Sequence, residues 1–243
     1  ADGYRWWVER LRATLERVDL VRLDHFRGFC GYWEVPAGEP TAINGRWVRG
    51  PGRDLFDALR NALGALRLVA EDLGLISQDV IDLRKDLGLP GMRVLQFGFG
   101  GDASNPHLPH NHERDLVVYT ATHDNDTTLG WYTDESPEVQ HKVRTYTGSG
   151  GQGVHWALIR ETYKSVAETA ICPLQDVLGL GREARLNFPG KPSGNWSWRY
   201  RAEQLDGGLA DALRELTVLT GRFEAVGAAQ EDDAPPVIDY ASA

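Results

Sequence analysis

Val21-Arg22-Leu23-Asp24-His25-Phe26-Arg27-Gly28-Phe29 is the stretch that decides how the chain is read. An apolar run from Val18 to Leu23 stops at Asp24 and His25, then leaves through Gly28 into a loop. A short buried strand ending in a carboxylate is how an α/β fold delivers acid to the mouth of its site. Two later stretches repeat the pattern. Leu66 to Ala70 runs into Glu71-Asp72, and Leu116 to Thr122 runs into His123-Asp124-Asn125-Asp126. Three apolar runs thus end in acid, roughly fifty residues apart.

Working outward, helices are expected between these strands. Trp7, Leu11, Leu15 and Val18 recur on one face of a helix from Arg5 to Asp19, ahead of a strand over Leu20 to Leu23. Asp54 is expected to cap a helix striped by Leu55, Leu59 and Leu63 and closed by Gly64. Ser77 caps a third helix that runs through Leu87 and ends at Gly88. Strands are expected over Leu66 to Ala70, Arg93 to Phe97, Leu116 to Thr120 and Ile171 to Gln175. Ser136-Pro137 opens a further helix, another spans Val154 to Ala170, and Leu209, Leu213, Leu216 and Phe223 mark the last. Tyr32 to Gly52, Gly98 to Arg114 and Asn187 to Trp198 read as loops. Residues 1–227 form the folded portion, and residues 228–243, acidic and carrying Pro235-Pro236, are expected to be loose. Strand alternating with helix, about five times over, predicts an α/β fold with parallel strands.

The net charge of −9 excludes the basic face that a nucleic-acid or anionic-membrane partner needs. No apolar run approaches the ~20 residues of a membrane span. Cys30 and Cys172 are isolated, which fits a reducing, cytoplasmic compartment. Eight Trp and eight Tyr supply flat faces that suit sugar rings as well as cores.

Asp24, Glu71 and Asp124 on neighbouring strand ends can converge on one pocket. Two carboxyl groups flanking a bond are what glycoside cleavage requires, one as nucleophile or base and one as acid. Arg22 projects to the same side of its strand as Asp24, where a guanidinium keeps a carboxylate ionised. His25 and His123 are placed to donate to sugar hydroxyls. The competing reading is that these acids only cap the helices that follow. His107, His110, His112 and Glu113 cluster within seven residues, but at no zinc-site spacing, and they read as a solvated loop with no metal.

Several motifs in order resemble glycoside hydrolase family 77, the 4-α-glucanotransferases or amylomaltases. Arg22 to Phe29 with Tyr32-Trp33-Glu34-Val35-Pro36 resembles their nucleophile segment, and Ala70-Glu71-Asp72-Leu73-Gly74 their acid/base segment. Pro90-Gly91-Met92, Val94-Leu95-Gln96-Phe97, Thr122 to Thr128, Gly130-Trp131-Tyr132, Gln175 to Leu178, Pro189-Gly190 and Gly194-Asn195-Trp196 continue it, from about Gly3 to Arg199.

The resemblance implies a (β/α)8 TIM barrel, here only its fourth to eighth strands, and retaining transfer of α-1,4-glucan segments between maltooligosaccharides. It implies Asp24 as nucleophile, Glu71 as acid and base, and Asp124 as the group holding the distorted sugar. Arg22, His25, His123, Phe97 and Asn195 are expected to contact substrate, and no cofactor is expected. The family's first three strands have no counterpart before Ala1. The chain is therefore expected to be the C-terminal portion of a longer enzyme, completed by the missing N-terminal portion of the barrel. An α-glucan hydrolase of the α-amylase group and an inactive glucan-binding fragment are the alternatives.

Overall fold

The computed structural model describes residues 2–223, so the tail at 228–243 lies outside the described residues. In chain order the first elements are α1 (Arg5–Leu15), β1 (Val21–Leu23), a 3-10 turn (Phe26–Phe29), β2 (Gly31–Glu34), β3 (Arg46–Arg49) and α2 (Arg53–Leu63). Then follow β4 (Leu68–Ala70), α3 (Gln78–Asp86), β5 (Gly91–Val94), a 3-10 turn (Leu95–Gly98) and β6 (Leu116–Tyr119). The remainder is α4 (Thr128–Asp134), α5 (Pro137–Thr147), α6 (Val154–Lys164), β7 (Thr169–Ile171), α7 (Leu174–Val177) and α8 (Gly207–Leu219).

The five expected strands are present and parallel. β1 pairs with β4, Leu23 facing Ala70, and β5, β6 and β7 pair in sequence. Ala70 N–H donates to Pro90 O at 2.9 Å, which links the two ladders into the order β1-β4-β5-β6-β7. Successive side chains alternate between faces. Leu23, Leu68 and Ala70 point outward into a core built with Val8 and Leu11 of α1, Leu55, Phe56 and Leu59 of α2 and Val80 of α3. Val69, Met92 and Val117 cluster on the opposite face, with Tyr119 against them. Arg22 extends this inner face, its Nε hydrogen donating to Met92 Sδ at 3.2 Å. A second outer core joins Leu95, Phe99 and Leu108 to Tyr132, Val143, Val154 and Leu158 of α4, α5 and α6.

Several boundaries differ from expectation for physical reasons. Residues 31–49 are an antiparallel hairpin rather than pure loop, with Trp33 facing Trp47 at 5.5 Å and Glu34 paired to Arg46. Its connection, residues 35–45, is far longer than a two-residue turn, and its Asn44-Gly45 pair stands at the entry to β3 instead of joining the two strands directly. Asp54 lies in the first turn of α2 behind a Gly52 cap, and its side chain caps nothing; Ser77 occupies its cap position without a side-chain bond. Ser136 does cap α5, its hydroxyl accepting from Val139 N–H at 3.3 Å. The strand expected at Arg93 to Phe97 begins earlier, at Gly91, and gives way to a 3-10 turn after Val94. The strand expected at Ile171 to Gln175 ends at Ile171, because Pro173, which has no N–H to give a ladder, opens α7. α6 correspondingly stops at Lys164 and α1 at Leu15.

Among the described residues no helix is long and apolar enough to cross a membrane.

Candidate active site

β1 and β4 end together, so Asp24 and Glu71 are the next residues beyond the Leu23–Ala70 pair. Each is two residues past an inward-facing position, Arg22 and Val69, so both project from the inner face. Arg22 Nη2 lies 2.8 Å from Asp24 Oδ1, while the Asp24 side chain is 77% exposed. The chain turns sharply after Asp24: His25 has φ 51° and ψ 52°, left-handed values that a non-glycine residue rarely adopts. That turn aims the His25 N–H at Glu71 Oε2, 2.7 Å away. Leu73 N–H donates to the other oxygen, Oε1, at 2.8 Å. Glu71 is thus held from both sides by backbone.

Asp124 lies on the loop after β6, and both ends of that loop are tied to one buried group. Asp176, 1% exposed on α7, accepts from the Thr120 hydroxyl at 2.6 Å, and from Thr128 N–H and hydroxyl at 2.6 and 2.7 Å. Burial pushes the Asp176 carboxyl up, against those three hydrogen bonds and the nearby His155. Between the ties, Asn125 Oδ1 accepts from Thr122 N–H and hydroxyl at 2.9 and 2.7 Å. Asn187 Nδ2 donates to Asp124 Oδ1, and Arg185 Nη2 donates to the Asp124 carbonyl at 2.7 Å. His123 Nε2 is 3.3 Å from Asp124 Oδ2, and its ring stacks on Trp196 with centroids 5.2 Å apart.

Arg22 and His123 line one cavity of about 310 Å³ on the inner face, with Met92, Tyr119, Gln175 and Arg185. The cation bound to Asp24 and the imidazole beside Asp124 therefore share one space. A second cavity of about 540 Å³ is lined by Asp124, Phe97, Gln96, Trp131 and Arg182. Phe97 is 43% exposed there. Asn195 sits differently: its Oδ1 accepts from Phe188 N–H at 2.9 Å and its Nδ2 donates to Lys191 O at 3.0 Å. Its amide staples the loop that carries Trp196, which itself has φ 60°.

The model of the glycoside hydrolase 77 family, described as 4-alpha-glucanotransferase, matches residues 1–205. The chain belongs to this family. It is 51% identical over 225 residues to the 4-alpha-glucanotransferase of Synechocystis sp., covering 91% of this chain and 45% of that protein. To the 4-alpha-glucanotransferase of Thermus thermophilus it is 48% identical, covering 91% of this chain and 46% of that protein. The chain spans about half the length of the curated relatives it matches. Its fold superposes with a TM-score of 0.86 on an amylomaltase from Streptococcus agalactiae in complex with acarbose, at 32% identity, over 90% of this chain and 45% of that one. These relatives are transferases by name, which does not favour the α-glucan hydrolase alternative for this member of the family.

Sequence reasoning missed Asn187, Arg185 and Asp176 as supports of Asp124. Asn187 and Arg185 lie more than sixty residues downstream in an irregular segment, and no spacing rule ties them to it. It also misjudged His107 and His112. Both are half-buried and hydrogen-bonded, not solvated: Val94 N–H donates to His107 Nδ1 at 3.0 Å, and His112 Nε2 is 3.1 Å from His107 O. Among the described residues no three His, Cys, Asp or Glu groups come together as a metal site requires.

Proposed function

We propose that this chain carries the catalytic acids of a retaining 4-α-glucanotransferase. One observation carries the reading: Arg22, bound to Asp24, and His123, beside Asp124, line a single cavity, while Glu71 ends the strand next to Asp24. Neighbouring strands lie about 4.8 Å apart, close to the ~5 Å carboxyl separation of retaining glycosidases.

In this mechanism an Asp24 oxygen attacks the anomeric carbon as the glycosidic C–O bond breaks. Glu71 gives its proton to the departing oxygen. The products are a glycosyl ester on Asp24 and a shortened glucan. An acceptor 4-hydroxyl then bonds to the anomeric carbon, its proton returns to Glu71, and the ester bond to Asp24 breaks. Arg22 fixes the Asp24 carboxylate for the attack. Asp124, held by Asn187, grips hydroxyls of the distorted ring, and this grip tightens as the ring flattens. His25 and His123 line the same subsite as Arg22, Phe97 offers an apolar face nearby in the second cavity, and Asn195 acts through its loop. The substrate is an α-1,4-glucan or maltooligosaccharide, and the acarbose bound to the structural neighbour supports a glucan-shaped site.

Residues 1–227 are proposed as the C-terminal portion of the catalytic (β/α)8 barrel, strands four to eight. The parallel β1-β4 pair and β5-β6-β7 ladder, linked by the Ala70–Pro90 hydrogen bond, and the half-length coverage of relatives support this. The remaining strands are supplied by the rest of a longer chain, and isolated Cys30 and Cys172 support a cytoplasmic location.

The test is incubation of the full-length natural chain with maltotriose and separation of products by size. Glucose plus longer oligosaccharides are expected, with the rate reduced about 10³-fold or more by Asp24→Asn. Mainly shorter sugars with accumulating reducing ends would sink transfer in favour of hydrolysis. No products at all would sink the enzymatic reading.

A further inference from the structure

Phe97 presents an exposed ring to the cavity that also holds Asp124, yet it stands on a short 3-10 turn after β5. A ring on such a turn has little local packing to set its angle. The chain supplies that packing from the returning segment Asn105–His112. Asn105 Nδ2 donates to the Phe97 carbonyl at 2.9 Å, while its Oδ1 accepts from His107 N–H at 2.9 Å. The His107 ring then meets the Phe97 ring edge to face, centroids 5.4 Å apart and planes at 87°. The segment packs closely on Gly98: a Cβ there would stand 3.0 Å from the end of the Leu108 side chain and 3.5 Å from the His107 carbonyl carbon.

The ring of His107 is itself held in one orientation. Its Nδ1 accepts from Val94 N–H at 3.0 Å, so Nδ1 bears no proton and the neutral tautomer is protonated on Nε2. Behind it, Ala167 N–H donates to Ser165 Oγ at 3.1 Å, the Ser165 hydroxyl donates to His112 Nδ1 at 2.7 Å, and His112 Nε2–H donates to His107 O at 3.1 Å. Burial lowers both imidazoles to about 4, so these bonds persist through neutral and mildly acidic pH. One continuous chain of contacts therefore runs from the end of α6, through His112 and His107, to the exposed ring of Phe97.

We propose that His107, braced by Asn105 and His112, is a positioning residue that sets the tilt of Phe97 over the cavity and so governs how the accepting sugar is seated. This rests on the transferase reading. Water and a glucan hydroxyl react with the same atoms in the second step: oxygen bonds to the anomeric carbon, the Asp24 ester bond breaks, and Glu71 takes the proton. Which of them reacts depends on which is seated, and an apolar ring at a fixed angle favours a sugar face over water. His107 touches neither reacting atom and acts through Phe97.

The test replaces Phe97 by 4-fluorophenylalanine in the full-length natural chain and combines this with two variants. His107→Asn keeps a small acceptor for Val94 N–H but removes the ring that meets Phe97. Asn105→Asp keeps the acceptor for His107 N–H but removes the donor to the Phe97 carbonyl, and it serves if His107→Asn fails to fold. In each, the ¹⁹F line is expected to move and broaden while the melting temperature changes by less than about 4 °C. The acceptor KM is expected to rise about five-fold with little change in the rate of donor cleavage, and the hydrolysed fraction to rise. An unmoved ¹⁹F line, or an acceptor KM and hydrolysed fraction equal to the parent's, overturns the proposal. A parent that transfers nothing overturns the transferase reading instead, and the ¹⁹F line then still reports whether the brace exists.

Discussion

The backbone N–H of His25 donates to Glu71 Oε2 at 2.7 Å, and His25 adopts left-handed backbone angles to make that bond. The two expected reacting carboxylates are thereby joined through one peptide, since Asp24 is the residue immediately before. A strained residue between two candidate catalytic groups is held there only because its surroundings over-determine it. Here those surroundings include Phe26 N–H bonded to Glu71 O and Glu71 N–H bonded to Leu23 O, at 3.1 and 3.0 Å.

His25 therefore gives a direct test of backbone strain. Both His25→Ala and His25→Gly lose the imidazole, but only glycine relieves the left-handed cost. The alanine variant is expected to be about 1 kcal/mol less stable than the glycine variant. Urea unfolding of the two settles it, and equal midpoints would mean that the turn relaxes without the ring.

The buried imidazoles give a pH dependence with a definite sign. His107 and His112 are lowered to about 4 by burial, against 6.5 for free imidazole. Below pH 6.5 the unfolded chain takes up protons that the folded chain refuses. Stability is thus fully present above pH 6.5 and is lost as pH falls toward 4, because a proton on His107 Nδ1 would oppose Val94 N–H. The loss is on the order of 1–3 kcal/mol for the pair after allowing for partial exposure. Thermal unfolding between pH 7 and pH 4 measures it, and a slope unaffected by His112→Asn would rule out that residue's share.

The three acid-terminated runs could be read from sequence because each is local: hydrophobic residues set the strand, and the acid follows it directly. Asp24 and Glu71 came together because parallel neighbours end side by side, which strand alternation alone implies. What stayed hidden depends on groups distant in the chain. Gly91 lies two residues ahead of the strand expected from Arg93, yet it belongs to β5. The buried Asp72 carboxylate fills its missing side chain's place, 2.6 Å from where a Cβ would stand, and accepts from Met92 N–H at 2.7 Å. Arg84 and Arg93 flank that carboxylate at 3.3 and 3.4 Å. The histidines of the loop after β5 looked solvated because loop composition says nothing of a ring lying under a neighbouring turn.

Asp176 separates the need for an acceptor from the need for a charge. It is buried, its carboxyl is pushed up, and it ties both ends of the loop bearing Asp124. In Asp176→Asn the amide oxygen still accepts from Thr128 N–H, and the two hydroxyls can rotate to accept from the NH₂. A change within about 1 kcal/mol is expected. Asp176→Ala leaves a buried N–H and two hydroxyls without partners, and about 3 kcal/mol should be lost. Denaturant midpoints for the two variants decide it; similar losses would show that the negative charge itself is required.

Asn187 tests how Asp124 is aimed. Arg185 holds the Asp124 carbonyl, so the backbone stays in place when Asn187 is changed, but among the described residues the carboxylate then keeps only His123 as a side-chain partner. On the proposed mechanism, a carboxylate free to rotate no longer meets the sugar hydroxyls at the angle the flattened ring requires. Asn187→Ala is expected to lower kcat about 10- to 100-fold with stability nearly unchanged, since misplacement by about 1 Å costs on that order. Asn187→Asp has almost the same shape, but it sets a second carboxylate against Asp124 Oδ1, so it should be slower still and should recover toward the alanine value as salt screens the repulsion. Steady-state kinetics of the two variants at low and high salt make the comparison. An aspartate variant as fast as the alanine one would mean that Asn187 does not touch the Asp124 carboxylate in the working enzyme.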